Sequence, residues 1–104
     1  MIIKWLENWC ENQCDGKWEH GYGIRIITLD NPGWDITISL DGTNIELPEE
    51  EWKLFEKSES DWYGYKVSNN TFYASGDSSK IELLINLFKN KIDSGGGSGI
   101  DWQL

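Results

Sequence analysis

Trp34-Asp35-Ile36-Thr37-Ile38-Ser39-Leu40 is the stretch on which the fold turns. Trp34, Ile36, Ile38 and Leu40 alternate with Asp35, Thr37 and Ser39, the period of a strand with one apolar face and one polar face. Upstream, Tyr22 to Leu29 alternates in the same way, setting Ile24, Ile26 and Thr28 against Arg25, Ile27 and Leu29. Asn31-Pro32-Gly33-Trp34 between them fits a type II turn, with Pro second and Gly third. Downstream, Asp41-Gly42 is a two-residue hairpin signal and predicts a partner strand over Thr43 to Leu47. Trp62 to Val67 and Thr71 to Ser75 read as a last hairpin around Asn69-Asn70, residues that tolerate positive φ. Pro48-Glu49-Glu50-Glu51 reads two ways. Proline followed by acids opens helices, whereas Trp52, Leu54 and Glu56 alternating with Lys53 and Phe55 suit a strand.

Helical patterns flank this β-rich middle. Over residues 3 to 14, Trp5, Leu6, Trp9, Cys10 and Cys14 recur at helical spacing, and Gly16 supplies a stop. Toward the other end, Ser79 with Glu82 forms a capping box, Asp77 and Ser78 competing for the cap position. The helix it predicts runs from about Ser79 to Ile92, with Ile81, Leu84, Ile85, Phe88 and Ile92 on one stripe widened by Leu83 and Leu87. The expected fold is therefore α+β: an N-terminal helix, an antiparallel meander of five or six strands, and a C-terminal helix. Both helices should pack on one sheet face and leave the other open.

The chain has 104 residues, enough for one core. That domain is expected over residues 1–93, and the Gly/Ser-rich stretch of residues 94–104 has the composition of a flexible tail. No apolar run reaches the roughly 20 residues of a membrane span, and the N-terminus lacks the pattern of a signal peptide. A cytoplasmic location, with no membrane partner, is the expectation. The formal charge is -9. Between Asp41 and Trp62, eight acids face only Lys53 and Lys57, so that stretch carries -6 of it. Nucleic acid is excluded as a partner, because neutralising phosphates takes clustered Lys and Arg. Acidity on this scale suits a basic partner, or serves solubility alone.

One block follows no simple folding rule: Cys14-Asp15-Gly16-Lys17-Trp18-Glu19-His20-Gly21-Tyr22-Gly23. Together with Trp5-Leu6-x-x-Trp9, with Thr28 to Trp34, and with Ser58-Glu59-Ser60-Asp61-Trp62, it resembles the immunity protein 53 family of bacterial polymorphic toxin systems. The likeness spans roughly residues 5 to 92. It implies a small cytoplasmic protein that neutralises a partner toxin by binding it, with no cofactor. It also favours the strand reading of residues 52 to 56.

Three kinds of chemistry compete in the residues themselves. Cys14, His20, Asp15 and Glu19 could form a nucleophile, base and orienter, making a small hydrolase, although their spacing matches no local cysteine-enzyme signature. Cys10, Cys14 and His20 could supply three metal ligands, where structural zinc sites want four. Two thiols four apart on a helix beside Trp5 and Trp9 equally fit buried, inert cysteines that stay reduced in the cytosol. Trp, Tyr and Asp on a sheet would also suit a small-ligand or carbohydrate-binding module.

A further possibility is an interface. Trp5, Trp9 and Trp34 occupy periodic positions that fit a core. Trp18, Trp52, Trp62 and Trp102 lie in loops, near acids or in the tail, and are candidates for an interface. The candidate partner-binding set is Asp15, Trp18, Glu19 and His20 in the loop, and Glu49, Glu50, Glu51, Trp52, Glu59, Asp61, Trp62 and Tyr63 in the acidic stretch. An acidic rim around aromatic anchors could occlude a basic cleft, such as that of a nuclease toxin. The plainer alternative is a strand edge kept from aggregating by its charges.

Overall fold

In the computed structural model, residues 1–21 and 23–95 are described. Three helices and five strands follow one another: α1 (Ile2–Gln13), α2 (Trp18–Gly21), β1 (Ile24–Leu29), β2 (Gly33–Ser39), β3 (Glu50–Ser58), β4 (Asp61–Ser68), β5 (Thr71–Gly76) and α3 (Ile81–Gly95). The α+β class, the two flanking helices and the antiparallel sheet match the expectation from sequence. Trp102 lies outside the described residues, as does Tyr22, where the first strand was expected to begin. Ser94 and Gly95, assigned to the tail, continue α3.

The sheet order is β1-β2-β5-β4-β3, every pairing antiparallel. After the β1–β2 hairpin the chain crosses to the far edge, and the meander of β3, β4 and β5 returns inward until β5 docks on β2. The predicted strand over Thr43 to Leu47 does not form. Asp41-Gly42 does turn the chain, with Gly42 at φ +84° and the Thr43 N–H donating to the Leu40 carbonyl. The edge of β2 that this strand would have paired with is occupied by β5. Instead, Asn70 holds the 43–49 segment, accepting the Leu47 N–H on Oδ1 and donating from Nδ2 to the Ile45 carbonyl. Leu47 is thereby pinned into the core.

Two cross-strand rows form the inner face, Ile36–Ala74–Tyr65 and Ile38–Phe72–Val67. Leu84, Ile85 and Phe88 of α3 and Ile2, Leu6 and Trp9 of α1 join these residues in a single core. Phe88 is its hub, with ring centroids 4.9 Å from Trp9, 5.4 Å from Phe72 and 6.0 Å from Trp5. Edge-on aromatic contacts of this kind add to what area burial alone contributes.

The turns differ in detail from expectation. Asn69 and Asn70 both take positive φ, as a tight hairpin requires. Gly33, however, is not in a type II turn: it already pairs with Leu29 as the first residue of β2. Its lack of a side chain serves close approach, since a Cβ there would run into the Gly76 carbonyl oxygen. The Ser79 capping box does not form either. Ser79 gives both its N–H and its hydroxyl to Asp77 Oδ1, so the competing Asp77 organises the start of α3, which begins at Ile81.

Candidate functional site

The Cys14–Gly21 loop is built for folding. Asp15 Oδ1 accepts the N–H groups of Lys17 and Trp18 at 2.9 and 3.0 Å, while Glu19 reaches back to those of Asp15 and Gly16 at 3.0 and 2.8 Å. The two carboxylates clasp the first turn of α2 from both sides, as a reciprocal cap does. Backbone N–H donors, from Trp18 and Lys17, hold Asp15 below its ordinary pKa. Glu19 is held low by its own N–H and those of Asp15 and Gly16. The clasp aims Trp18 inward. Only 1% exposed, its indole packs 5.7 Å from Trp9 and donates Nε1–H to the Ser39 carbonyl at 2.9 Å. Trp18, a candidate interface residue by sequence, is therefore a core residue.

Catalysis finds no support in this loop. The Cys14 thiol donates to the Cys10 carbonyl, and desolvation followed by the nearby Glu19 charge pushes its pKa up, away from thiolate. Among the described residues no group of three or more His, Cys, Asp or Glu is placed to hold a metal ion. Asp15, Glu19 and His20 remain exposed at the surface of the loop.

The acidic stretch resolves into two faces of the β3–β4 hairpin. Cross-strand pairing puts Phe55 with Tyr63 and Lys53 with Tyr65 on the helix side. There the rings of Phe55 and Tyr63 stack at 4.9 Å, and the ammonium groups of Lys91 and Lys53 lie 4.9 and 5.7 Å from the Tyr65 ring. Glu50 sits between these two lysines and bonds both. Partial burial opposes its ionisation, but Lys91 and Lys53 outweigh it and lower its pKa. Tyr63 thus lies on the opposite face of the sheet from Trp62.

The other face is open. Glu56 pairs with Trp62 and Leu54 with Gly64. A register shift between Glu50 and Lys53 marks a bulge, the kind of irregularity that re-aims side chains at a sheet edge. Beside it the Trp52 indole comes to lie against Gly64: a Cβ on Gly64 would sit 2.5 Å from Trp52 Cζ2 and 2.8 Å from the Lys53 carbonyl oxygen. Trp52 is still 46% exposed and Leu54 51%. Trp52, Leu54 and Trp62, with Asn31 from the β1–β2 turn and the carboxylates of Glu56 and Glu59, line a groove of about 520 Å³.

The acids on and around the hairpin differ in what they already bind. Asp61 bonds Lys80 at 2.8 Å. Asp77, 3% exposed, bonds Lys80 at 2.7 Å and also accepts the Trp62 N–H at 2.8 Å. Lys80, ahead of the Ser79 donors, holds Asp77 far below the ordinary carboxylate pKa, and the two acids raise that of Lys80. Glu49 accepts the Asn69 N–H at 2.7 Å. The carboxylates of Glu51, Glu56 and Glu59, by contrast, have neither an ion pair nor a hydrogen bond among the described residues.

Of the candidate residues, Trp52, Trp62 and Glu59 meet at the groove, with Asp61 beside them and Glu49, Glu50 and Glu51 along the far end of the hairpin. Asp15, Glu19 and His20 belong to a separate loop. Leu54 and Glu56 were absent from the candidate set, although their alternation with Trp52 places all three on one face. Asn31 carries no such signal. No helix among the described residues is long and apolar enough to cross a membrane.

No curated protein and no solved structure matches the chain. The family model described as Immunity protein 53 matches residues 3–93, nearly the whole described structure, and the chain belongs to that family.

Proposed function

We propose that this protein neutralises a cognate toxin of a bacterial polymorphic toxin system by stoichiometric binding, without turnover, in the cytoplasm. The contact surface in this reading is the open face and rim of the β3–β4 hairpin, where Trp52, Leu54 and Trp62 offer apolar area and Glu51, Glu56 and Glu59 offer unpaired charge. The observation that carries it is this juxtaposition, in a member of an immunity family, of exposed Trp52 and half-buried Trp62 with carboxylates that form no ion pair among the described residues. Large aromatics at the centre and charge at the rim are the anatomy of a binding hot spot. Its complement is a basic surface, as a nuclease cleft would present. Blockade is steric and electrostatic, and needs no cofactor.

The test is co-expression with the toxin encoded beside it. Wild-type chain protects the cells and co-purifies with the toxin domain in a 1:1 complex. Trp52→Ala with Trp62→Ala keeps the fold and loses affinity by more than 2 kcal/mol, as central hot-spot truncations do. Full protection by a folded double variant would move the contact surface elsewhere. A chain that protects nothing and binds no toxin would end the reading.

A further inference from the structure

We infer that the groove between Trp52 and Trp62 is an arginine clamp: a guanidinium of the partner lies against the indole rings while Glu56 and Glu59 accept its N–H groups. This deepens the proposed function and rests on it for the identity of the partner, a basic protein.

Three features of the groove point to a cation, and to arginine above lysine. First, its carboxylates are unmatched. Elsewhere around the hairpin the buried or half-buried acids hold lysines: Glu50 holds Lys53 and Lys91, while Asp61 and Asp77 share Lys80; Lys57 and Lys66 form no ion pair among the described residues. Glu56 and Glu59 line the groove with no such partner among the described residues. Second, the surface between them is aromatic and apolar, made by Trp52, Trp62 and Leu54. A strongly hydrated ammonium gains little there. The flat, weakly hydrated guanidinium stacks on indole and still presents edge N–H donors to carboxylates. Third, the geometry is fixed by the fold. Gly64 leaves room for the Trp52 ring to settle against the sheet, and Glu56 is the direct cross-strand neighbour of Trp62.

The indole N–H groups add a contrast. Those of Trp18 and Trp34 donate to the carbonyls of Ser39 and Ser78. Those of Trp52 and Trp62 have no protein acceptor among the described residues. They remain available to carbonyl oxygens flanking the inserted arginine.

The experiment is a titration of the full chain with N-acetyl-arginine amide and, separately, N-acetyl-lysine amide, followed through the indole N–H signals of all tryptophans. The arginine probe should shift Trp52 and Trp62 saturably and leave Trp18 in place, binding about five-fold more tightly than the lysine probe. Combining Glu56→Gln with Glu59→Gln, both on exposed positions that leave the core intact, should weaken it roughly ten-fold. Equal response to both probes, shifts that do not saturate, or undiminished binding by the double variant would each overturn the clamp. If the arginine probe fails while the chain still holds its toxin, the clamp is wrong and immunity by binding stands. If the probe saturates the groove but no toxin is bound, the clamp stands and the immunity reading falls.

Discussion

Gly64 shows how much of the surface rests on one missing methyl group. Its strand position gives it no conformational reason to be glycine. What requires it is the Trp52 indole, which occupies the space a Cβ would fill, together with the Lys53 carbonyl 2.8 Å away. The tryptophan ring could swing aside, whereas the paired backbone of β3 cannot do so cheaply. Gly64→Ala should therefore destabilise the fold by about 1–3 kcal/mol, as overpacking does. It should also push Trp52 into solvent, seen as a red shift of the chain's tryptophan emission that disappears when Trp52 is replaced by Phe. Unchanged stability and emission would mean that Trp52 does not rest on Gly64. At this scale the sequence was partly legible. Exposed Trp52 and half-buried Trp62 were separable from core Trp5 and Trp9 by their acidic neighbours. Trp18 was not, because its loop position says nothing of the Asp15–Glu19 clasp that turns it inward.

Among the elements, the 40–49 segment marks where local reading stops. Asp41-Gly42 is a sound turn signal, and the turn exists. Which strand then lies beside β2 is a contest between a neighbour three residues away and β5, more than thirty residues on. Nothing in the local pattern decides such a contest, because register and pairing are set by the whole apolar face. β5 wins by setting Phe72 and Ala74 in line with Ile38 and Ile36, under Phe88. The displaced segment is then held chiefly by the Asn70 side chain, with Glu49 accepting the Asn69 N–H at its far end. Asn70→Gly keeps the left-handed backbone of the hairpin but removes both side-chain bonds to Ile45 and Leu47. Hydrogen exchange at the Leu47 amide should speed up well before that of β5, with a stability loss of about 1–3 kcal/mol. Uniform exchange across both would show the segment to be held by its apolar contacts instead.

Asp77 works at the same scale, tying the start of β4 to the approach of α3 through the Trp62 N–H, the Ser79 donors and Lys80. Its folded pKa lies below the ordinary 3.8. Near and below that pH the unfolded chain binds the extra proton, so stability rises with pH there and the contribution is complete above about 4. Lys80 shifts the opposite way, upward from 10.5, so its share is complete below that value and is lost only as pH rises through the folded pKa. Asp77→Asn should lower the melting temperature at neutral pH and flatten its fall between about pH 4 and pH 2. Parallel acid profiles for variant and wild type would contradict this account.

For the whole molecule the question is how far its charge reaches. The described body measures 38 × 33 × 28 Å, and the chain carries -9. At 0.01 M salt the screening length is about 30 Å, comparable to the protein itself, so every acid contributes to the field that a basic partner meets. At 1 M salt it shrinks to about 3 Å, and only charges in contact still count. Association with the toxin should therefore slow by at least ten-fold between these limits. Dissociation is governed by groups already touching, so salt should alter it far less. The substitutions divide in the same way. Glu51→Gln, outside the groove, should lower the association rate and its salt slope with little effect on complex lifetime. Trp62→Ala should shorten the lifetime and leave the salt slope as it was. An association rate indifferent to ionic strength would remove electrostatic steering from the mechanism, leaving the tryptophan contacts to account for binding alone.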